Sequence, residues 1–159
     1  MSATPMSTGA GAEASSLSTV PLRLEVIRLP VTDFDRAKAF YQRLGWRLDI
    51  EFKPGGQYRA LQFTPPGSPA SIQFTEAPMS TTGPVEGMIL VVDDIDVARD
   101  ELISRGADVG EVWHLDLEKG PVPGYDPERR SYASRATFKD PDGNSWDLQE
   151  ITERLPGRV

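Results

Sequence analysis

The chain holds one histidine, His114, and no cysteine. A lone imidazole is the one side chain here whose ordinary pKa lies near neutrality, so His114 is a candidate general acid or base as well as a candidate structural histidine. Soon after it, ERRSYASR brings Arg130, Tyr132 and Ser134 together. Arginine with tyrosine can bind and polarise a carbonyl or carboxylate, and an arginine pair can equally balance nearby acids on a solvated surface. Trp113, Tyr125 and Phe138 could stack on an aromatic ligand or simply pack. Asp140 and Asp142 resemble catalytic acids, but Asp142-Gly143 reads as a turn. The absence of cysteine excludes a disulfide framework, thiol catalysis and zinc–thiolate sites. No glycine-rich phosphate loop precedes a helix, and no Ser-His-Asp arrangement follows from the spacing.

What must position these groups is a repeat. VTDFDRAKAFYQRLG begins at Val31, and aligning Val31 with Val92 gives an offset of 61 (106 minus 45 for Gly106 and Gly45). The same offset pairs Asp33 with Asp94, Asp35 with Asp96 and Ala37 with Ala98. Each copy opens with an alternating apolar run, LEVIRLPV or GMILVV, which predicts a strand. An aspartate then caps a helix, and a glycine ends it. Phe34, Ala37, Phe40, Tyr41 and Leu44 share one face of the first helix, as do Ile95, Ala98 and Leu102 of the second.

Three strands should follow each helix: WRLDIEF, YRALQFT and ASIQFTE, then DVGEVWHLD, SRATFKD and NSWDLQEI. Turns are expected at Pro54-Gly55-Gly56, Pro65-Pro66-Gly67 and Pro141-Asp142-Gly143. The fold class is α+β, two βαβββ modules in one chain. A Ser/Thr/Gly-rich tail should occupy residues 1–20, the first module 21–80, the second 81–152 and a short tail 153–159. Residues 117–130, rich in Pro and Gly, read as an insertion without regular structure.

The chain has 159 residues and a formal net charge of -7, with 17 basic and 24 acidic residues. That balance argues against nucleic acid or an anionic membrane as partner. No apolar run reaches the about 18 residues of a spanning helix. The first twenty residues lack the apolar core of a signal peptide, so a cytoplasmic setting is the expectation.

V-x-D-x-x-x-A-x-x-F-Y-x-x-L-G at Val31 to Gly45, together with DPDGN at Asp140 to Asn144, resembles the vicinal oxygen chelate superfamily. Its members include glyoxalase I, bleomycin-binding proteins, fosfomycin-modifying enzymes and extradiol dioxygenases. The resemblance spans about residues 22 to 151 and implies two modules curling a mixed sheet around a cleft. It also implies a metal tetrad at Val26, Gly87 (each seven residues before its helix aspartate), Asp147 and Gln73 or its same-face neighbour Ser71. Valine and glycine bring no ligand atom, so no metal and no cofactor are expected. A site relocated to His114 and Asp116 is the alternative.

If Val26 faces the cleft, alternation turns Arg28 and Pro30 inward and sets Ile27, Leu29 and Val31 beneath the helices. By the same logic Gly87, Ile89 and Val91 face in, with Asp147, Gln149 and Ile151, while Trp146 and Leu148 face the helices. Arg28 could pair with Asp147 or hold a ligand carboxylate or enolate. The catalytic candidates are therefore His114, Arg28, Tyr132 and Asp147. The ligand-binding candidates are Val26, Gln73, Gly87, Ile89, Trp113, Arg130, Ser134 and Gln149. The expected function is sequestration of an organic ligand, aromatic or cationic, in a metal-free cleft. The alternatives are a metal-independent lyase or isomerase and, behind it, a metalloenzyme with unusual ligands. A small molecule is the expected partner, and the family suggests a homodimer.

Overall fold

A computed structural model describes residues 16–53, 55, 59–75 and 83–158. Most of the expected N-terminal tail, the Pro54 to Gly56 turn apart from Gly55, and the boundary between the modules near residue 80 lie outside the described residues.

The first module contains β1 (Val26–Arg28), α1 (Phe34–Arg43), β2 (Arg47–Phe52), β3 (Ala60–Thr64) and β4 (Ser71–Thr75). The second contains β5 (Met88–Val92), α2 (Ile95–Ser104), β6 (Trp113–Asp116), β7 (Gly120–Pro123), β8 (Ser134–Lys139) and β9 (Ser145–Glu150). The four-stranded sheet runs β1-β4-β3-β2 and the five-stranded sheet β5-β9-β8-β6-β7. Within each, the opening strand pairs parallel with the last (β1 with β4, β5 with β9) and the other pairings are antiparallel.

The helix boundaries follow from the caps. Asp33 accepts the Arg36 N–H at 3.0 Å, and Asp94 accepts the N–H groups of Asp96 and Val97. At the other ends Gly45 (φ 83°) and Gly106 (φ 90°) turn left-handed. Trp46 N then reaches Tyr41 O and Ala107 N reaches Leu102 O, which satisfies the last carbonyls. A Cβ on Gly45 would come within 3.0 Å of Arg105, and one on Gly106 within 3.2 Å of Arg43. The ends of the two helices therefore meet.

The helices lie between the sheets. Tyr41 of α1 touches Phe63 and Phe74 of the first sheet and hydrogen-bonds Trp146 of the second. Trp46 packs edge-on against Trp146, with ring centres 5.1 Å apart. One apolar cluster runs from Leu29, Phe63 and Phe74 through Ala37 and Tyr41 to Phe138, Trp146 and Leu148.

The α+β class and the two repeated modules are as expected, carried on a four-stranded and a five-stranded sheet that do not close on each other. One feature differs from the sequence reading: the 117–130 segment is partly regular, since Gly120–Pro123 pairs antiparallel with β6. Pro121 and Pro123 lack N–H donors, which suits this strand to the sheet edge where it lies.

Candidate functional site

Register defines each outward face. Across the first sheet Val26 neighbours Ser71, and Arg28 neighbours Gln73, which neighbours Gln62. Across the second, Ile89 neighbours Asp147, which neighbours Thr137; Val91 neighbours Gln149, then Arg135, then Trp113. The intervening residues, Ile72 and Phe74 or Ala136 and Leu148, are buried in the core. Period-two alternation thus separates a packing face from an outward face in both sheets.

The outward face of the second sheet carries a directional chain. Trp113 Nε1 donates to Thr137 Oγ1 at 3.2 Å, and Thr137 donates its single hydroxyl proton to Asp147 Oδ1 at 2.6 Å. This fixes the half-buried indole by its polar edge. The Arg135 guanidinium lies 5.7 Å from the Trp113 ring centre and 3.7 Å from Asp147 Oδ2. The latter distance is too long for a hydrogen bond. Around them Ile89, Val91 and Leu115 are 46%, 38% and 57% exposed. Indole, guanidinium, carboxylate and loose apolar side chains on one surface suit a planar organic ligand with a polar substituent.

The remaining candidates are distributed more widely. Val26, Arg28 and Gln73 share the outward face of the first sheet, where Arg28 has no hydrogen bond or ion pair among the described residues. Gly87 (φ 80°) precedes β5. Gln149 is buried on its face and donates Nε2 to Tyr132 O at 2.7 Å. His114 neighbours Ser134, on the opposite side of the sheet from Trp113. Its Nδ1 lies 2.8 Å from Gly124 O, and a carbonyl only accepts, so Nδ1 carries the proton.

Ser134 is fully buried, and its Oγ accepts the Asp126 N–H. Arg130 donates Nε and Nη2 to Asp126, at 3.0 and 2.6 Å. These bonds, with the Arg130 N–H, hold the Asp126 carboxyl well below the usual range. Tyr132 adopts φ 73°, and its hydroxyl accepts the Leu155 N–H at 3.1 Å. The structure therefore does not gather His114, Arg28, Tyr132 and Asp147 around one point. Asp147 pairs with Arg135 and Thr137 rather than with Arg28. Both partners were overlooked in the sequence, although SRATFK carries the signal: the alternation that buries Ser134, Ala136 and Phe138 turns Arg135, Thr137 and Lys139 outward.

The sequence profile of the Glyoxalase/Bleomycin resistance protein/Dioxygenase superfamily matches residues 23–148. The chain belongs to this superfamily. Among solved structures it is similar to TnmS3, an antibiotic-binding protein from Streptomyces sp. CB03234, with 27% identity and a TM-score of 0.61 over 84% of this chain and 99% of that one. A glyoxalase/bleomycin resistance protein from the same organism gives 28% identity and a TM-score of 0.58, over 80% and 100%. A superfamily member from Sphaerobacter thermophilus DSM 20745 gives 23% and 0.61, over 82% and 98%, and supports the fold alone. A comparison with curated proteins gave no match.

The metal positions that the resemblance implies are Val26, Gly87, Asp147 and Gln73 or Ser71. Two bring no donor atom. Gln73 Nε2 donates to Gln62 at 3.4 Å, and the Asp147 carboxylate is engaged by Thr137 and faces a guanidinium. This set does not fit a divalent ion, which needs several oxygen or nitrogen donors converging without a fixed cation among them. Nor does the alternative at Asp116, whose Oδ1 accepts the N–H groups of Glu118 and Lys119 in the β6–β7 turn. Among the described residues no group of three His, Cys, Asp or Glu is placed to hold a metal.

Proposed function

We propose that this superfamily member binds a small organic, aromatic ligand against Trp113 without metal and without turning it over. The observation that carries the reading is the indole, anchored through Thr137 to Asp147 and flanked by Arg135 on an outward sheet face. The similarity to an antibiotic-binding protein supports it. Metal-independent lyase or isomerase chemistry would need His114 beside the ligand, and His114 points to the other side of the sheet.

A homodimer belongs to the same proposal. Each outward face forms one wall, and the two walls of a single chain point apart. A second copy that lays its first-sheet face over Trp113 closes a cleft, with Arg28 and Gln73 opposite Asp147. Both β1 and β5 are edge strands. A groove of about 640 Å3 runs along β5 between Ile89–Val92, Leu102 and the Pro65–Pro69 turn. Near β1, Leu22 and Leu24 are 89% and 64% exposed, so apolar surface is on offer at both edges. A cytoplasmic setting, with neither nucleic acid nor membrane as partner, completes the reading and accords with the acidic charge.

Calorimetric titration with a panel of polycyclic aromatic compounds tests the site. At least one should bind, and Trp113→Ala should weaken it by about 2 kcal/mol, the scale of an aromatic anchor. Affinity unchanged by that substitution would place the ligand elsewhere.

A further inference from the structure

The sign of charge on the outward faces is opposite to that of the molecule. The chain carries -7 overall. Among the described residues, the outward face of the second sheet holds Arg135 and Lys139 against the carboxylate of Asp147. That of the first holds Arg28 and Arg47 against Asp49, which is bonded to Arg47 and Thr64. Glu51 belongs to the other side, where it pairs with Lys38 of α1. Among the described residues, two cations against one acid on each face leave each with a local excess of one positive charge.

Arg135 is the informative group. Its side chain is 29% exposed, yet its guanidinium makes no hydrogen bond among the described residues. Its donors keep access to water and hold only Asp147 Oδ2 nearby, at 3.7 Å, so a ligand acceptor can take the place of water there. Its guanidinium carbon lies over the Trp113 ring, 5.7 Å from the ring centre, so an aromatic ligand that reaches the indole brings any acidic oxygen it carries close to the fork. A cationic ligand is served poorly there. Asp147 gives one oxygen to Thr137, and Arg135 stands before the other.

We infer that this site selects aromatic ligands bearing an acidic oxygen (a carboxylate, phenolate or enolate), and that Arg135 receives it. The inference rests on the binding reading above and adds the ligand's charge. It sets aside the cationic ligand that the net charge alone had suggested.

Naphthoate, naphthamide and naphthylmethylammonium share one ring system and differ in charge. Titrated into the full chain, with calorimetry and the part of the tryptophan quenching that Trp113→Phe removes (Trp46 and Trp146 also emit) as readouts, naphthoate should bind about tenfold tighter than naphthamide, as one charge-assisted contact would give. The ammonium should bind most weakly. Arg135→Gln should erase the preference for naphthoate over naphthamide, while Arg135→Lys keeps part of it; a melting curve identifies any variant that fails to fold. Equal binding of naphthamide or the ammonium, with Trp113 quenched, would overturn the charge inference and leave the site standing. If none of the three quenches Trp113, the binding reading falls and this inference with it.

Discussion

Arg130 and Asp126 show how a single pair can fix a loop. Asp126 is almost wholly buried and accepts Arg130 through Nε, Nη2 and the main-chain N–H. Its carboxyl is depressed below the ordinary 3.8, first by the Arg130 side chain and then by the Arg130 N–H. A depressed carboxyl contributes stability above its unfolded value and loses it on protonation as pH falls toward the folded value. Asp126→Asn should therefore be less stable than wild type at neutral pH, and the gap should shrink below pH 3.8 in urea melts at stepped pH. A gap that widens on acidification would contradict this. The same residues mark the limit of sequence reading. Arg130, Tyr132 and Ser134 looked like a ligand-facing set because they are adjacent. Side chains in a turn have no period to orient them, and here one binds Asp126, one accepts Leu155 N and one is buried. For His114 and Trp113 alternation did apply, and it separated them.

At the scale of elements, the β8–β9 turn fastens the second module to the first. Asp140 accepts from Tyr41 Oη at 2.7 Å, from Asn144 Nδ2 at 2.8 Å and from the N–H groups of Asp142 and Asn144 at 2.9 Å. Burial, and then the Asp140 carboxylate, push the Tyr41 hydroxyl far above its ordinary pKa, so it remains a donor. Asp142 Oδ1 accepts both the N–H and hydroxyl of Thr32, and Arg36 as well. Asp140→Ala leaves several buried donors unmatched and should lower stability by about 3 kcal/mol, read as a urea midpoint shift at constant slope. A change under about 0.5 kcal/mol, the range of a surface substitution, would show the turn to be incidental. The turn itself was legible from Asp142-Gly143, as were both helices from their caps and glycines. Its partners were not, since Tyr41, Thr32 and Arg36 lie about a hundred residues earlier in the chain. Strand β7 escaped notice because proline argues against a central strand but not against an edge.

At the scale of the whole molecule, each sheet turns one face to the core and one outward, and the proposed dimer lays the outward face of the first sheet of one copy over that of the second sheet of the other. Sedimentation should find a dimer that Ile89→Glu with Val91→Glu converts to monomer, because charges on an apolar edge would have to be desolvated. A monomeric wild type that binds ligand at full strength would contradict closure by a second copy. The most direct test is titration of wild type and Trp113→Ala side by side with polycyclic aromatic compounds, by calorimetry on folded protein. Binding should be saturable at one site per chain, and the substitution should weaken it by about 2 kcal/mol. Binding that survives Trp113→Ala undiminished, or no binding by any compound, would contradict it.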